Sequence, residues 1–156
     1  MEDVPQLSVE ERWVETNRVF NQMILKVIRA IEEKFGKEGR EVVAHALYEV
    51  GREIGNRLRQ ELNISGAEPI DYARLHYFQD TNYWAIKEEV IPGKSGEVVI
   101  RVTYCPGQGI FSARDCATFL PYVRGLMDVI NPGLKWTATQ VLTRGDSCCE
   151  FIVTRE

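Results

Sequence analysis

Cys105, Cys116, Cys149 and His76 are the side chains of this 156-residue sequence best equipped for chemistry. A thiolate attacks an electrophilic ring carbon when a base or a positive dipole lowers its pKa. Cys116 lies near an expected helix start, where such a dipole acts. Free cysteine is also among the most buried residue types and packs as a small apolar group, so a structural role stands beside the catalytic one. The spacing C-x10-C-x31-CC, in which Cys148 adjoins Cys149, matches no standard zinc pattern. His76 lies in ARLHYFQD ahead of Asp80. A His–Asp pair can supply a general base, and a hydrogen-bonded surface histidine is the plainer alternative.

Trp84, Tyr104, Phe119, Tyr122 and Trp136 are candidates to line a ligand pocket, although core packing explains aromatic residues equally well. Arg101 stands on the opposite strand face from Ile100 and Val102. It either pairs a ligand carboxylate or is a solvated strand arginine. Asp146 follows Gly145 and reads as turn chemistry. His45 flanks a helical stripe, has no evident partner and reads as structural.

The elements that must position these residues are legible from periodicity. Residues 1–7 read as a loose arm and 8–156 as a single domain. Ser8-Val9-Glu10-Glu11 is a capping box. Trp13, Phe20, Ile24, Val27, Ile31 and Phe35 then mark one face of a long helix that Gly36 stops. A second long helix covers about residues 38–63. Its Gly51 and Gly55 sit one turn apart, and interior glycine costs roughly 1 kcal/mol against alanine, so close approach of another helix is expected there. A third, shorter helix opens at Glu68-Pro69 and runs to Tyr77 or Phe78. Strands are expected at 83–91 and 97–105, joined by Pro92-Gly93-Lys94-Ser95-Gly96. A helix with Ser112 as N-cap covers 112–130, and Pro121 kinks it or divides it. Strands at 134–143 and 148–154 close the chain. Three helices, a strand pair, a helix and a second strand pair make an α+β domain with a four-stranded antiparallel sheet.

Hydrophobic residues at 44% and charged residues at 27% are those of one globular domain able to build a core. A net charge of −4 gives no reason to expect nucleic acid as a partner. No apolar run approaches the roughly 20 residues of a membrane span, and the N-terminus lacks a signal-peptide core. A cytoplasmic location is expected, with the four cysteines as thiols.

The segment ALYEVGREIGNRL, with Cys116, Tyr122, Gly125, Gly145-Asp146 and Cys149-x-Phe151, resembles the 4-vinyl-reductase-type domains. Cys105-Pro106, Asn131-Pro132-x-Leu134-Lys135 and Gly145-Asp146-x2-Cys149-Glu150-Phe151 resemble the L-2-amino-thiazoline-4-carboxylic acid hydrolase family. Both groups are similar in fold to TRAPP-complex subunits, and the resemblance covers about residues 20–154. It implies helices on a four-stranded antiparallel sheet, an apolar cavity between them for a small molecule, and a homodimer formed through the long helices. It also implies two functional classes: a small-molecule-binding domain, or a hydrolase that opens a small heterocycle. Some 4-vinyl-reductase-type domains hold zinc with three cysteines and a glutamate. Cys116 and Cys149 match two of those positions, but Ala138 and Val141 fall near the other two and lack donor atoms. No metal and no cofactor are therefore expected. The hydrolase-like pattern of a cysteine with a nearby aspartate in the last helix falls on Leu120 to Val123, which carry neither.

Overall fold

In the computed structural model, which describes residues 6–155, helix α1 (Val9–Glu61) is followed by α2 (Pro69–Tyr83), β1 (Lys87–Pro92) and β2 (Val98–Tyr104). Then come α3 (Ala113–Ala117), α4 (Leu120–Ile130), β3 (Leu134–Gln140), a 3-10 turn (Leu142–Arg144) and β4 (Cys149–Arg155). This is the expected α+β order. Most of the predicted N-terminal arm, residues 1–5, lies outside the described residues.

The two long helices are contiguous arms of α1 that meet at Gly36, whose φ of 59° and ψ of −130° break the helix. That backbone region is closed to most L side chains, so glycine is required. Ser8 caps the first arm through the predicted capping box with Glu11. The first arm spans about 40 Å at the standard rise. Arg29 ties it to α3 with two bonds to Asp115, at 3.3 and 2.7 Å.

The second arm packs against α4, and the contact depends on missing side chains. A Cβ on Gly51 would overlap the Tyr122 carbonyl, and one on Gly125 would overlap the Tyr48 carbonyl. A Cβ on Gly55 would strike the Val129 side chain. The two helices therefore cross backbone to backbone. Tyr48 donates to Asp128 at 2.9 Å across the crossing, and Arg59 donates to the Val129 carbonyl at 2.6 Å.

The sheet order is β1-β2-β4-β3, with every neighbour antiparallel. Cross-strand partners share a face, so Val98, Ile100 and Val102 line up with Val153, Phe151 and Cys149. This face meets α2 and α4 in a core that includes Leu58, Tyr72, Leu75, Leu126 and Met127. On the other face Arg101 pairs with Glu150 at 2.9 Å, so its partner lies on the neighbouring strand.

Two boundaries differ from expectation. Helix α2 continues to Tyr83, and Trp84 is its C-cap instead of a strand residue. In this added stretch the side chains of Thr81 and Asn82 bond back to the Tyr77 and Phe78 carbonyls. Strand β3 ends at Gln140, where a bulge breaks the ladder before the 3-10 turn. At Pro121 the expected division is found: the 112–130 segment is two pieces, α3 and α4, with Pro121 in the first turn of α4.

Gly51→Leu and Gly125→Leu are each expected to destabilise the fold by about 3 kcal/mol, because a carbonyl cannot move aside as a flexible side chain can. Thermal melts of the two variants check this. An unchanged midpoint in both would show that the crossing tolerates a side chain.

Candidate functional site

The chemistry-bearing residues gather at one end of the core face of the sheet. In register, Glu88 of β1 stands opposite Val102 of β2, which stands opposite Cys149 of β4. Two strand spacings separate Glu88 from Cys149, about 10 Å.

On the β1 side is a buried polar cluster. Residues 72, 76 and 80 occupy one stripe of α2 at helical spacing. His76 Nδ1 lies 3.1 and 3.3 Å from the Glu88 carboxylate oxygens and 3.6 Å from Asp80 Oδ2. The side chains of His76, Asp80 and Glu88 are 8%, 7% and 0% exposed. Burial alone would lower the His76 pKa, but the charges of Asp80 and Glu88 and the Glu88 hydrogen bond outweigh it and raise it to about 9. The two carboxylates thus favour the protonated imidazole. Burial raises the Asp80 pKa well above the usual carboxylate range, and the neighbouring Glu88 adds to that while His76 opposes it. Of the predicted His–Asp pair, Asp80 is therefore the member closer to neutrality and better able to take up a proton. Tyr122 donates to Gln79 at 2.6 Å beside this cluster. Tyr72, whose ring centre lies 5.7 Å from that of His76, is fully buried, and its hydroxyl has no hydrogen-bond partner among the described residues.

On the β4 side are the thiols. The backbone amide of Leu142 donates to Cys149 Sγ at 3.3 Å, and Thr143 Oγ1 lies 3.6 Å from Cys116 Sγ. The 3-10 turn thus links these two cysteines. Cys105 follows the end of β2 and accepts from the Gly107 amide at 3.4 Å. Burial pushes its pKa up to about 11, helped by the charges of Cys116, Asp80 and Cys149. Burial also raises Cys116 and Cys149. All three are neutral thiols near pH 7, and none has the depressed pKa of an activated nucleophile.

The aromatic candidates divide. Trp84 lies 6.5 Å from Tyr122 in an edge-on contact and 6.1 Å from Phe20. Tyr104 is half-buried at the end of β2. Phe119 stacks on Phe111 at 5.4 Å, beside the turn that carries Cys105. Trp136 stands apart, stacked on Phe151 at 4.2 Å and paired in register with Val153. A separate open groove of about 430 Å³ on the surface is lined by Leu62, Arg74, Tyr77, Phe78 and Val90, none of them a predicted ligand residue.

Glu88 and Tyr72 are not found by reading the sequence for sites. One signal was available: Glu88 shares its alternation with Trp84, Ile86 and Val90, an acid interrupting an apolar row.

Residues 16–153 match the model of the L-2-amino-thiazoline-4-carboxylic acid hydrolase family. The chain belongs to that family. It is 26% identical over 147 residues to an uncharacterized protein of Archaeoglobus fulgidus, a match covering 85% of this chain and 64% of the relative. The family member thus spans less than two thirds of that relative's length. Among solved structures it is similar to a trafficking protein particle complex subunit 3 from Naegleria fowleri covalently bound to palmitic acid. The TM-score is 0.63 at 11% identity, over 88% of this chain and 96% of that one. An H-NOX protein from S. oneidensis in the Fe(II)NO state follows, with TM-score 0.53, 9% identity and coverage of 85% and 74%. The phenol-responsive sensory domain of the transcription activator PoxR, with phenol, gives 0.52 at 10% identity and coverage of 86% and 74%. At such identities the likeness is one of fold. No helix among the described residues is long and apolar enough to cross a membrane.

The thiol pKa values predict reactivity. Alkylation of Cys105, Cys116 and Cys149 by iodoacetamide is expected to be slower than that of a free thiol at pH 7.5. It should accelerate only as pH rises past the ordinary thiol range, with Cys105 lagging. Mass mapping of the alkylated sites against pH checks this, and rapid labelling of any of the three at pH 7.5 contradicts it.

Proposed function

We propose that this family member binds a small molecule at the end of the sheet marked by the row Glu88–Val102–Cys149. The row is the observation that carries the reading, since it sets Glu88 of the buried polar cluster and Cys149 about 10 Å apart on one face of the sheet. Trp84, Tyr104, Phe119 and Tyr122 are half-buried around that end and offer aromatic contact area. In this reading Cys105, Cys116 and Cys149 are polarizable lining groups, in keeping with their raised pKa values. The similar folds that hold palmitic acid and phenol support a ligand role without naming the ligand. Free thiols suit a cytoplasmic setting.

A second reading, a hydrolase that opens a small heterocycle such as a thiazoline carboxylate, is favoured by the family and by the buried His76, Asp80 and Glu88. Hydrolysis of a cyclic C–N or C–S bond needs a group to take a proton from water and another to give one to the leaving atom. The cluster supplies both kinds of group. Native mass spectrometry of the purified chain is expected to show a retained small molecule that survives cysteine-to-serine replacement. Ring opening of 2-aminothiazoline-4-carboxylate is expected in the wild type and lost in His76→Asn. A wild type that binds ligand without turnover removes the hydrolase reading, and one that retains and binds nothing removes both.

The first arm of α1 supports a homodimer. Val19, Met23 and Val27 are 52%, 62% and 52% exposed on one stripe, opposite the buried Leu25 and Ile28. Two copies laid face to face would cover these stripes. Sedimentation is expected to give a dimer at micromolar concentration and a monomer for Met23→Glu; a monomeric wild type overturns it.

A further inference from the structure

We propose that His76, Asp80 and Glu88 form a binding site for one divalent transition-metal cation, with the Tyr72 hydroxyl at its edge. The site is built from one helix stripe and one strand residue. Tyr72, His76 and Asp80 follow each other at four-residue spacing on the buried face of α2. The chain then reverses: Ala85 adopts a positive φ of 53°, and the Ile86 amide bonds to the Asp80 carbonyl at 3.0 Å. That reversal starts β1, and Glu88 enters from below the helix.

One donor atom from each of the three side chains lies within 4.8 Å of the other two. The His76–Glu88 distance of 3.1 Å and the His76–Asp80 distance of 3.6 Å bracket the ligand-to-ligand edge of a tetrahedral site, about 3.3 Å when each ligand is about 2.0 Å from the ion. Two of the three edges thus already have the length of a tetrahedral site, and the third is no longer than 4.8 Å.

The charge count points the same way. Two buried carboxylates face one imidazole, with donor atoms within 4.8 Å of one another. Buried carboxylates beside an imidazole are compensated by its proton or by a metal ion that displaces that proton. Independently, the Tyr72 hydroxyl is fully buried, has no hydrogen-bond partner among the described residues and feels the charges of both Asp80 and Glu88. A buried hydroxyl normally finds a partner, and one left open beside two carboxylates fits a site whose ion or ion-bound water is the missing neighbour. Imidazole with carboxylates and no sulfur is a ligand set for zinc, cobalt or manganese.

The site does not depend on the hydrolytic reading, because occupancy is measured without substrate. The full chain, stripped with a chelator, is titrated with zinc chloride by calorimetry and analysed for metal after desalting. One zinc per chain is expected, with affinity at least tenfold weaker in Glu88→Gln and unchanged in the Cys116→Ser/Cys149→Ser variant. The cobalt form is expected to show d–d absorption without a thiolate charge-transfer band. Wild type that takes up no metal overturns the proposal, as does binding lost in the double-cysteine variant or a cobalt spectrum with thiolate character. Should Glu88→Gln fail to fold by circular dichroism, the wild-type stoichiometry and the cobalt spectrum decide alone.

Discussion

The crossing of α1 and α4 at Gly51, Gly55 and Gly125 is the contact on which the rest of the structure depends. Three missing side chains let two helix backbones touch, with a carbonyl from each helix where the other's Cβ would be. Close approach brings Leu126 and Met127 down onto the sheet and fixes the height at which α4 leaves toward β3. It also sets where Tyr122 reaches Gln79 of α2. A larger residue at any of the three would lift α4 and with it one wall of the candidate site.

Below that crossing the sheet acts as a ruler. Its antiparallel register carries apolar pairs, Val98 with Val153 and Ile100 with Phe151, through the middle of the core face. Only at the last row does the pairing become chemical, with Glu88 on one side of Val102 and Cys149 on the other. A buried glutamate is costly unless it is paired, and here the pairing comes from α2, which runs one turn longer than its sequence led one to expect. Had α2 ended at Phe78, Asp80 would lie in a loop and the cluster would lack its third member.

The two groups of polar side chains respond oppositely to burial. Each cysteine has a single hydrogen bond that opposes desolvation without overcoming it, so all three keep a raised pKa. For His76 the two carboxylates overcome desolvation and raise the pKa. The same low-polarity surroundings therefore quiet the thiols and strengthen the interactions inside the His76 cluster. This contrast is why the hydrolytic reading rests on the cluster, although the cysteines are the more conspicuous residues in the sequence.

Local rules in the chain were sufficient for much of the fold. The Ser8–Glu11 and Ser112–Asp115 capping boxes, the stop at Gly36, the break at Pro121 and the four alternating strands all depend on residues a few positions apart, and such patterns are written in the sequence itself. The glycine pair declared a close helix contact because interior glycine is costly unless something needs the space, although not which helix supplied it. The family resemblance was also legible, being carried by short motifs in order. What tertiary structure alone decided was which distant residues meet. Strand order β1-β2-β4-β3 put Cys149 beside Val102, and the reversal after Trp84 turned Glu88 inward beneath His76. Neither follows from periodicity, because cross-strand register and the direction of a chain reversal are set by packing between elements that the local sequence does not encode.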